Sequence, residues 1–333
     1  MIPLKRWIVV CGVLGFLAAV GAQLRAAEVS PHTCTPDVIY GRKAGVALTM
    51  DVFRPKEKAN GAALLWLYSG DFVSKGDVVS LDPKSIAEYL HRGYAVFVIN
   101  HSSAPAFPID EIVADVHRAV RYIRYHAKEY HIDPDRLAIL GMSSGGYLAA
   151  HVGVCGGEGP SFPKPDYLGI GRYDPIEVEA SSKVAAFVSV SGPSDFLNYG
   201  AERRSILEHR FPEELRKKAK LKKCWIAPFE FRDFDRFEGF QRVTEAEEIK
   251  RRLKAVSPVY LVSARSAPGL IIHGDKDGNV PVQQAESLAK RLRAAAVPVD
   301  LVIRKDAGHY VFRFPEDNKL VADWLDKRFA PSR

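Results

Sequence analysis

The chain has 333 residues, of which 47% are hydrophobic and 26% charged, with a formal net charge of +7. That balance excludes global disorder and allows one large core, and a single α/β unit can reach this length. No internal repeat, low-complexity run or biased linker divides the sequence.

Lys5 and Arg6 precede an apolar run, Trp7 to Ala22, that carries no charge. A basic start, an apolar middle and the small residues Val20-Gly21-Ala22 predict a secretory signal peptide at residues 1–22, and hence export to the periplasm or the medium. Cleavage after Ala27 would instead place Arg25 three residues before the cut bond. An uncleaved anchor is the rival reading, although the run is short for a span of about 20 residues. Cys11 lacks the small residue expected before a lipidated cysteine. Losing Lys5 and Arg6 takes the charge from +7 to +5. That modest excess favours acidic surroundings such as an anionic polymer or an envelope surface. Of the remaining cysteines, Cys34, Cys155 and Cys224, at least one is unpaired in an exported chain, and no pair has metal-site spacing.

Past the leader, residues 37–41 and 46–53 predict a hairpin, with Val46, Leu48, Met50 and Val52 alternating as on a half-buried strand. Ala62 to Tyr68 is a buried strand, Pro83 to His91 a short helix, and Tyr94 to Ile99 another buried strand. Ile109 to Tyr130 predicts one long helix with Ile112, Val116, Val120 and Ile123 on one stripe, broken at Asp133-Pro134. Arg136 to Leu140 is a strand and Ser144 to Val154 a helix. Val184 to Val190, Gly269 to His273 and Val299 to Ile303 are strands, and Val282 to Ala294 and Val311 to Phe329 helices. Strands alternating with helices imply a mostly parallel sheet covered on both faces.

Two stretches interrupt that alternation. Residues 156–182, rich in Gly, Pro and Asp, predict a long loop. They follow a helix that runs away from the carboxyl edge of the sheet, so Tyr167 and Tyr173 are not assigned to a site. Residues 196–256 predict an inserted helical lid. Its Phe229, Phe231, Phe234, Phe237 and Phe240, spaced near three, suggest one apolar helical face that lines a pocket or packs on the sheet. The basic run 216–223 is a solvated face or a contact for an anionic polymer.

Three motifs carry chemistry. Gly141-Met142-Ser143-Ser144-Gly145-Gly146 falls between a strand and a helix. The pattern G-x-S-x-G sets a serine hydroxyl on a tight turn, with the helix N–H groups free to receive an oxyanion. A serine needs a base, and His309, in Gly308-His309-Tyr310, follows the strand Val299–Ile303 at the same sheet edge. The base needs a carboxylate to hold its tautomer. In His273-Gly274-Asp275-Lys276-Asp277, both Asp275 and Asp277 qualify, with Asp277 deeper in the loop.

On these motifs, with HIDPDRLAILGMSSGG inside Asp115–Gly146, HGDKDGNVP at 273–281 and AGHYVF at 307–312, the chain resembles the α/β-hydrolase superfamily. Within it, the hormone-sensitive-lipase-like and bacterial acetyl- and feruloyl-esterase-like branches are most similar. The resemblance covers residues 37–328. It implies one domain over 34–330, with a sheet of about eight strands, helices on both faces and no cofactor. It also implies Asp277 as the acid of a Ser143-His309-Asp277 triad. The expected activity is hydrolysis of short-chain or carbohydrate-linked esters, with a small-molecule or polysaccharide ester as partner and, given export, no nucleic acid. A prolyl-oligopeptidase-like peptidase and a non-catalytic binding protein are the alternatives. The superfamily's oxyanion loop usually reads HGGG. Here Tyr68-Ser69-Gly70-Asp71-Phe72 stands in its place, so the expected donors are the N–H groups of Gly70, Asp71 and Ser144. A carboxylate at 71 turned inward would repel the oxyanion.

Overall fold

The computed structural model describes residues 32–74, 84–160, 174–209, 226–235 and 237–330. The predicted leader with Cys11, Tyr167, Tyr173, the basic run 216–223 and Cys224 lie outside them. Eight strands make the main sheet: β1 (His32–Lys43), β2 (Val46–Pro55), β3 (Ala63–Leu67), β4 (Ala95–Ile99), β5 (Leu137–Met142), β6 (Ala186–Val190), β7 (Gly269–Gly274) and β8 (Val299–Arg304). Their order across the sheet is β1-β2-β4-β3-β5-β6-β7-β8. The opening hairpin is longer than its alternating residues suggested. It turns at Ala44-Gly45, where both residues have positive φ (48° and 78°), the twist that two-residue hairpins require. β2 also runs antiparallel to β4, and every later pairing is parallel.

The central strands are buried on both faces, which is why they are continuous apolar runs. Along β3, Ala63, Leu65 and Leu67 enter one core layer while Leu64 and Trp66 enter the other. The first layer is closed by α2 (Ile109–Tyr125), α3 (Ser144–Val154), α4 (Ala246–Ala255) and α5 (Gln283–Ala294). The second is closed by α1 (Lys84–His91) and α6 (Glu316–Phe329). The predicted stripe of α2 is fully buried at Ile112, Val116, Val120 and Ile123. That helix ends at Tyr125 rather than running unbroken to Tyr130, and a separate turn covers Ala127–Tyr130. The last helix starts at Glu316 and not at Val311, because Pro315 drives the residue before it out of the helical region.

Residues 156–182 are not purely loop. Pro175–Glu179 forms a short helix against α2, fastened by Arg118 to Asp174 (2.9 Å) and Glu177 (3.0 Å) and by Arg121 to Glu177 (3.2 Å). The described part of 196–256 is less helical than expected. A short 3-10 turn at Ala227–Phe229 leads into a two-stranded ribbon, Arg232–Asp235 with Gly239–Arg242, and only then into α4. An extended chain alternates its side chains with period two. The phenylalanines therefore do not share one face: Phe229 and Phe231 are buried, while Phe237 and Phe240 are exposed. Phe229 packs on Phe196 and Phe72, ring centroids 4.7 Å and 6.0 Å away, which seats this segment on the loop after β3. Among the described residues, no helix is long and apolar enough to cross a membrane.

Candidate active site

Ser143 sits where β5 passes into α3. Its φ of 56° and ψ of −122° are strained for a residue with a side chain. The Ser143 N–H donates to the Val190 carbonyl (2.8 Å), and its own carbonyl accepts from the Tyr147 N–H (3.0 Å), so the turn is clamped on both sides. The flanking glycines are there for lack of room. A Cβ on Gly141 would lie 2.3 Å from the Gly145 carbonyl oxygen, and one on Gly145 would lie 2.6 Å from that of Leu67. Both obstacles are backbone and cannot swing aside. Gly145→Ala is accordingly expected to cost about 2 kcal/mol of stability, the overpacking range, and to lower the melting temperature in calorimetry. An unchanged melting point would mean that α3 can shift off β3.

The loops after β7 and β8 bring two more groups to this edge. His309 Nε2 lies 2.9 Å from Ser143 Oγ, and His309 Nδ1 lies 2.8 Å from Asp277 Oδ2. With a proton held at Nδ1 by the carboxylate, Nε2 is left to accept from the serine hydroxyl. Of the two aspartates left open by the sequence, Asp277 is thus the one that meets His309. Asp275 donates its N–H to the carbonyl of Arg304 (3.1 Å), the last residue of β8. Asp277 Oδ1 accepts from the N–H groups of Asn279 and Val280, both at 2.9 Å. Its side chain is wholly buried. Burial alone would raise the carboxyl. The hydrogen bonds from His273, His309 and Val280, with the attraction of His309, outweigh it and hold the group well below the usual carboxylate range.

His273 is a residue that sequence reasoning passed over. Its Nε2 lies 2.8 Å from the Val280 carbonyl oxygen and 3.2 Å from Asp277 Oδ2, so it braces the carboxylate from below. Ser191 was missed as well. Its hydroxyl donates to the His309 carbonyl (2.9 Å) and fixes the histidine loop. The HGDKD segment holds both His273 and Asp277 and is the one signal that could have linked them.

The loop after β3 folds as a small ribbon, Ser69–Gly70 against Val73–Ser74, turning at Asp71 and Phe72 with φ of 54° and 61°. Asp71 is exposed at its tip, whereas Phe72 is buried against Tyr147, ring centroids 5.6 Å apart. The ribbon is tied to the serine turn by a hydrogen bond between Ser69 Oγ and Ser144 Oγ, 2.8 Å long. Its far side hydrogen-bonds Ser103 and Asn100. These border a cleft lined by Leu48, Thr49, Asn100, His101, Ser103 and Phe107 at the same sheet edge.

This arrangement can move a proton from a serine to an imidazole while a carboxylate balances the charge that forms. The comparisons with known proteins agree in kind. "Probable carboxylic ester hydrolase LipM" of Mycobacterium tuberculosis is 27% identical over 77% of this chain and 51% of its own length. "Esterase LipC" of the same organism is 25% identical over 78% and 55%. The chain spans about half the length of these curated relatives. A solved structure described as a truncated form of carbohydrate esterase from gut microbiota shares the fold, with a TM-score of 0.68 at 23% identity over 91% of this chain and 98% of that one. The BD-FAE family model matches residues 50–292, a span that includes Ser143 and Asp277 and stops short of His309, which the fold itself brings to them. Most of the sequence thus lies within that match, and the chain belongs to the BD-FAE family.

Proposed function

We propose that this chain is an exported serine esterase that cleaves carboxylic esters through Ser143, His309 and Asp277. The observation that carries the reading is the continuous contact from Ser143 Oγ through the imidazole to a buried carboxylate, 2.9 Å and 2.8 Å long. Ser143 Oγ attacks the ester carbonyl as His309 Nε2 takes its proton, and Asp277 steadies the imidazolium. The tetrahedral oxyanion is received by the N–H of Ser144 and by those of Gly70 and Asp71 at the ribbon turn. His309 then returns the proton to the departing alkoxide, leaving an acyl-serine. Water, deprotonated by the same imidazole, releases the acid. With Asp71 exposed, its charge is screened by solvent, so the substitution in the HGGG position is compatible with turnover.

For the substrate we infer a short-chain or carbohydrate-linked ester of the acetyl or feruloyl type, such as an acetylated polysaccharide side group. Two observations support this. The cleft beside the ribbon is lined by the polar side chains of Thr49, Asn100 and Ser103, suited to hydroxyls, and a solved structure of the same fold is described as a carbohydrate esterase. Export rests on the basic start and apolar run of residues 5–22.

The test is a substrate panel with the full-length protein: p-nitrophenyl acetate, butyrate and octanoate, methyl ferulate, an acetylated xylo-oligosaccharide and a prolyl p-nitroanilide. Acetyl esters should turn over fastest, with the oligosaccharide favoured in kcat/KM over p-nitrophenyl acetate. Amide cleavage exceeding ester cleavage would make the protein a peptidase. Preference for octanoate would remove the short-acyl part of the proposal.

A further inference from the structure

On the side of α3 away from the ester site, three side chains with metal-ligating atoms converge without any part in the proposed chemistry. His117 comes from α2, His151 from the last turn of α3 and Cys155 from the residue that caps that helix. The ligand atoms of all three lie within 4.8 Å of one another. His117 Nε2 is 3.2 Å from His151 Nδ1, and that nitrogen is 3.5 Å from Cys155 Sγ. Around one ion with bonds of about 2.0 Å to nitrogen and 2.3 Å to sulfur, neighbouring ligands stand roughly 3.3–3.7 Å apart. Two of the three edges are close to that spacing before any ion is added.

The surroundings complete the pattern. A metal-bound imidazole normally donates its other N–H to a fixed acceptor. For His117 that acceptor is present: its Nδ1 is 2.8 Å from Ser182 Oγ. The hydrogen bond between His117 Nε2 and His151 Nδ1 is what an ion would replace, and both imidazoles are buried. Cys155, half-buried beside two buried histidines, is the side from which an ion would enter.

We infer that His117, His151 and Cys155 form a binding site for a soft monovalent ion, copper(I). Thiolate and imidazole donors suit that ion. Charge selects it over zinc. On binding, the thiol gives up its proton, and thiolate plus Cu(I) is a neutral pair, whereas thiolate plus Zn(II) would leave a net positive charge in a buried place. The eleven residues of α3 put the site about 16 Å from Ser143, so the ion would pin α2 to α3 rather than act on substrate. The inference is independent of the esterase reading.

The test uses full-length protein with Cys11, Cys34 and Cys224 changed to serine, so that Cys155 is the sole thiol. Reduced and anaerobic, it is titrated with Cu(I) against bathocuproine disulfonate. It should withhold one Cu(I) per chain, and X-ray absorption should show mixed nitrogen and sulfur ligation. Cys155→Ser should abolish binding, His117→Gln should weaken it by at least about tenfold, and Ser182→Ala, which leaves every ligand in place, by about tenfold. Circular dichroism of the metal-free variants separates lost binding from lost fold. If the histidine variant unfolds, Ser182→Ala and the absorption spectrum still decide. Failure of the single-thiol protein to hold Cu(I), sulfur-only ligation, or tighter retention of Zn(II) than of Cu(I) would each overturn the inference.

Discussion

Ser143→Ala is expected to lower kcat for p-nitrophenyl acetate by about 10⁴- to 10⁶-fold, the scale of losing the nucleophile of a triad that works as a unit. No neighbouring hydroxyl can stand in. The adjacent Ser144 Oγ is buried and bonded to Ser69 Oγ, while His309 Nε2 is bonded to Ser143 Oγ. The same substitution should remove labelling by a fluorophosphonate, whose adduct in the wild type should map to Ser143 by mass spectrometry. Ser143→Gly would be equally inactive, yet should melt at a higher temperature than Ser143→Ala. A φ of 56° strains any residue with a Cβ by about 1–3 kcal/mol, and glycine relieves it. This pair of variants separates the two things the turn does, holding a nucleophile and storing strain. An alanine variant that keeps a tenth of the wild-type rate would sink the serine mechanism. Loss of activity together with loss of the circular dichroism spectrum would leave the role of Ser143 open, and the glycine variant is the control for that.

Much of this architecture was legible because the physics that writes it is local. Ala63–Leu67 and Ala95–Ile99 are buried on both faces, and continuous burial leaves a continuous apolar run. The serine turn was legible because backbone passes backbone there too closely for any residue but glycine at 141 and 145. What was not legible depends on partners far apart in the chain. Asp275 and Asp277 are the same residue type in the same loop, and only the packing of the loop after β8 against it brings one of them to His309. The bonds of Ser69 to Ser144, of Ser191 to the His309 carbonyl and of His117 to His151 join residues 34 to 118 positions apart, a distance at which no spacing rule operates. The phenylalanines of 229–240 failed for a different reason. A spacing near three over so short a stretch fits a helix, and a chain that turns back on itself between Asp235 and Gly239 imitates it. The local signal was real but ambiguous, and the contact of Phe229 with Phe72 and Phe196 decided it.

Asp277→Asn should nearly match the loss of the nucleophile, lowering kcat by about 10⁴-fold with little change in overall structure. The argument is one of proton placement. Oδ1 of residue 277 is already committed to the N–H groups of Asn279 and Val280, so an asparagine must keep its carbonyl oxygen there. Its amide nitrogen is then turned towards His309, where it donates to Nδ1 instead of accepting from it. The imidazole proton is driven to Nε2, which faces Ser143 Oγ as a donor and no longer acts as a base. The same swap takes away the second acceptor of His273 Nε2, 3.2 Å away, and leaves it the Val280 carbonyl at 2.8 Å. A stability signature follows with a defined sign. The folded carboxyl lies below its ordinary value near 3.9. Its contribution is therefore fully present above about pH 4 and is lost as pH falls through the lower folded value. The wild type should melt above the asparagine variant at pH 7, and the gap should shrink as the buffer is taken from pH 5 towards pH 3. A gap that stays constant over that range would mean the carboxylate is not stabilised by its neighbours. Retained activity in Asp277→Asn, by contrast, would move the acid's role to Asp275, the other carboxylate in the loop, and would require that loop to rearrange before the serine is attacked.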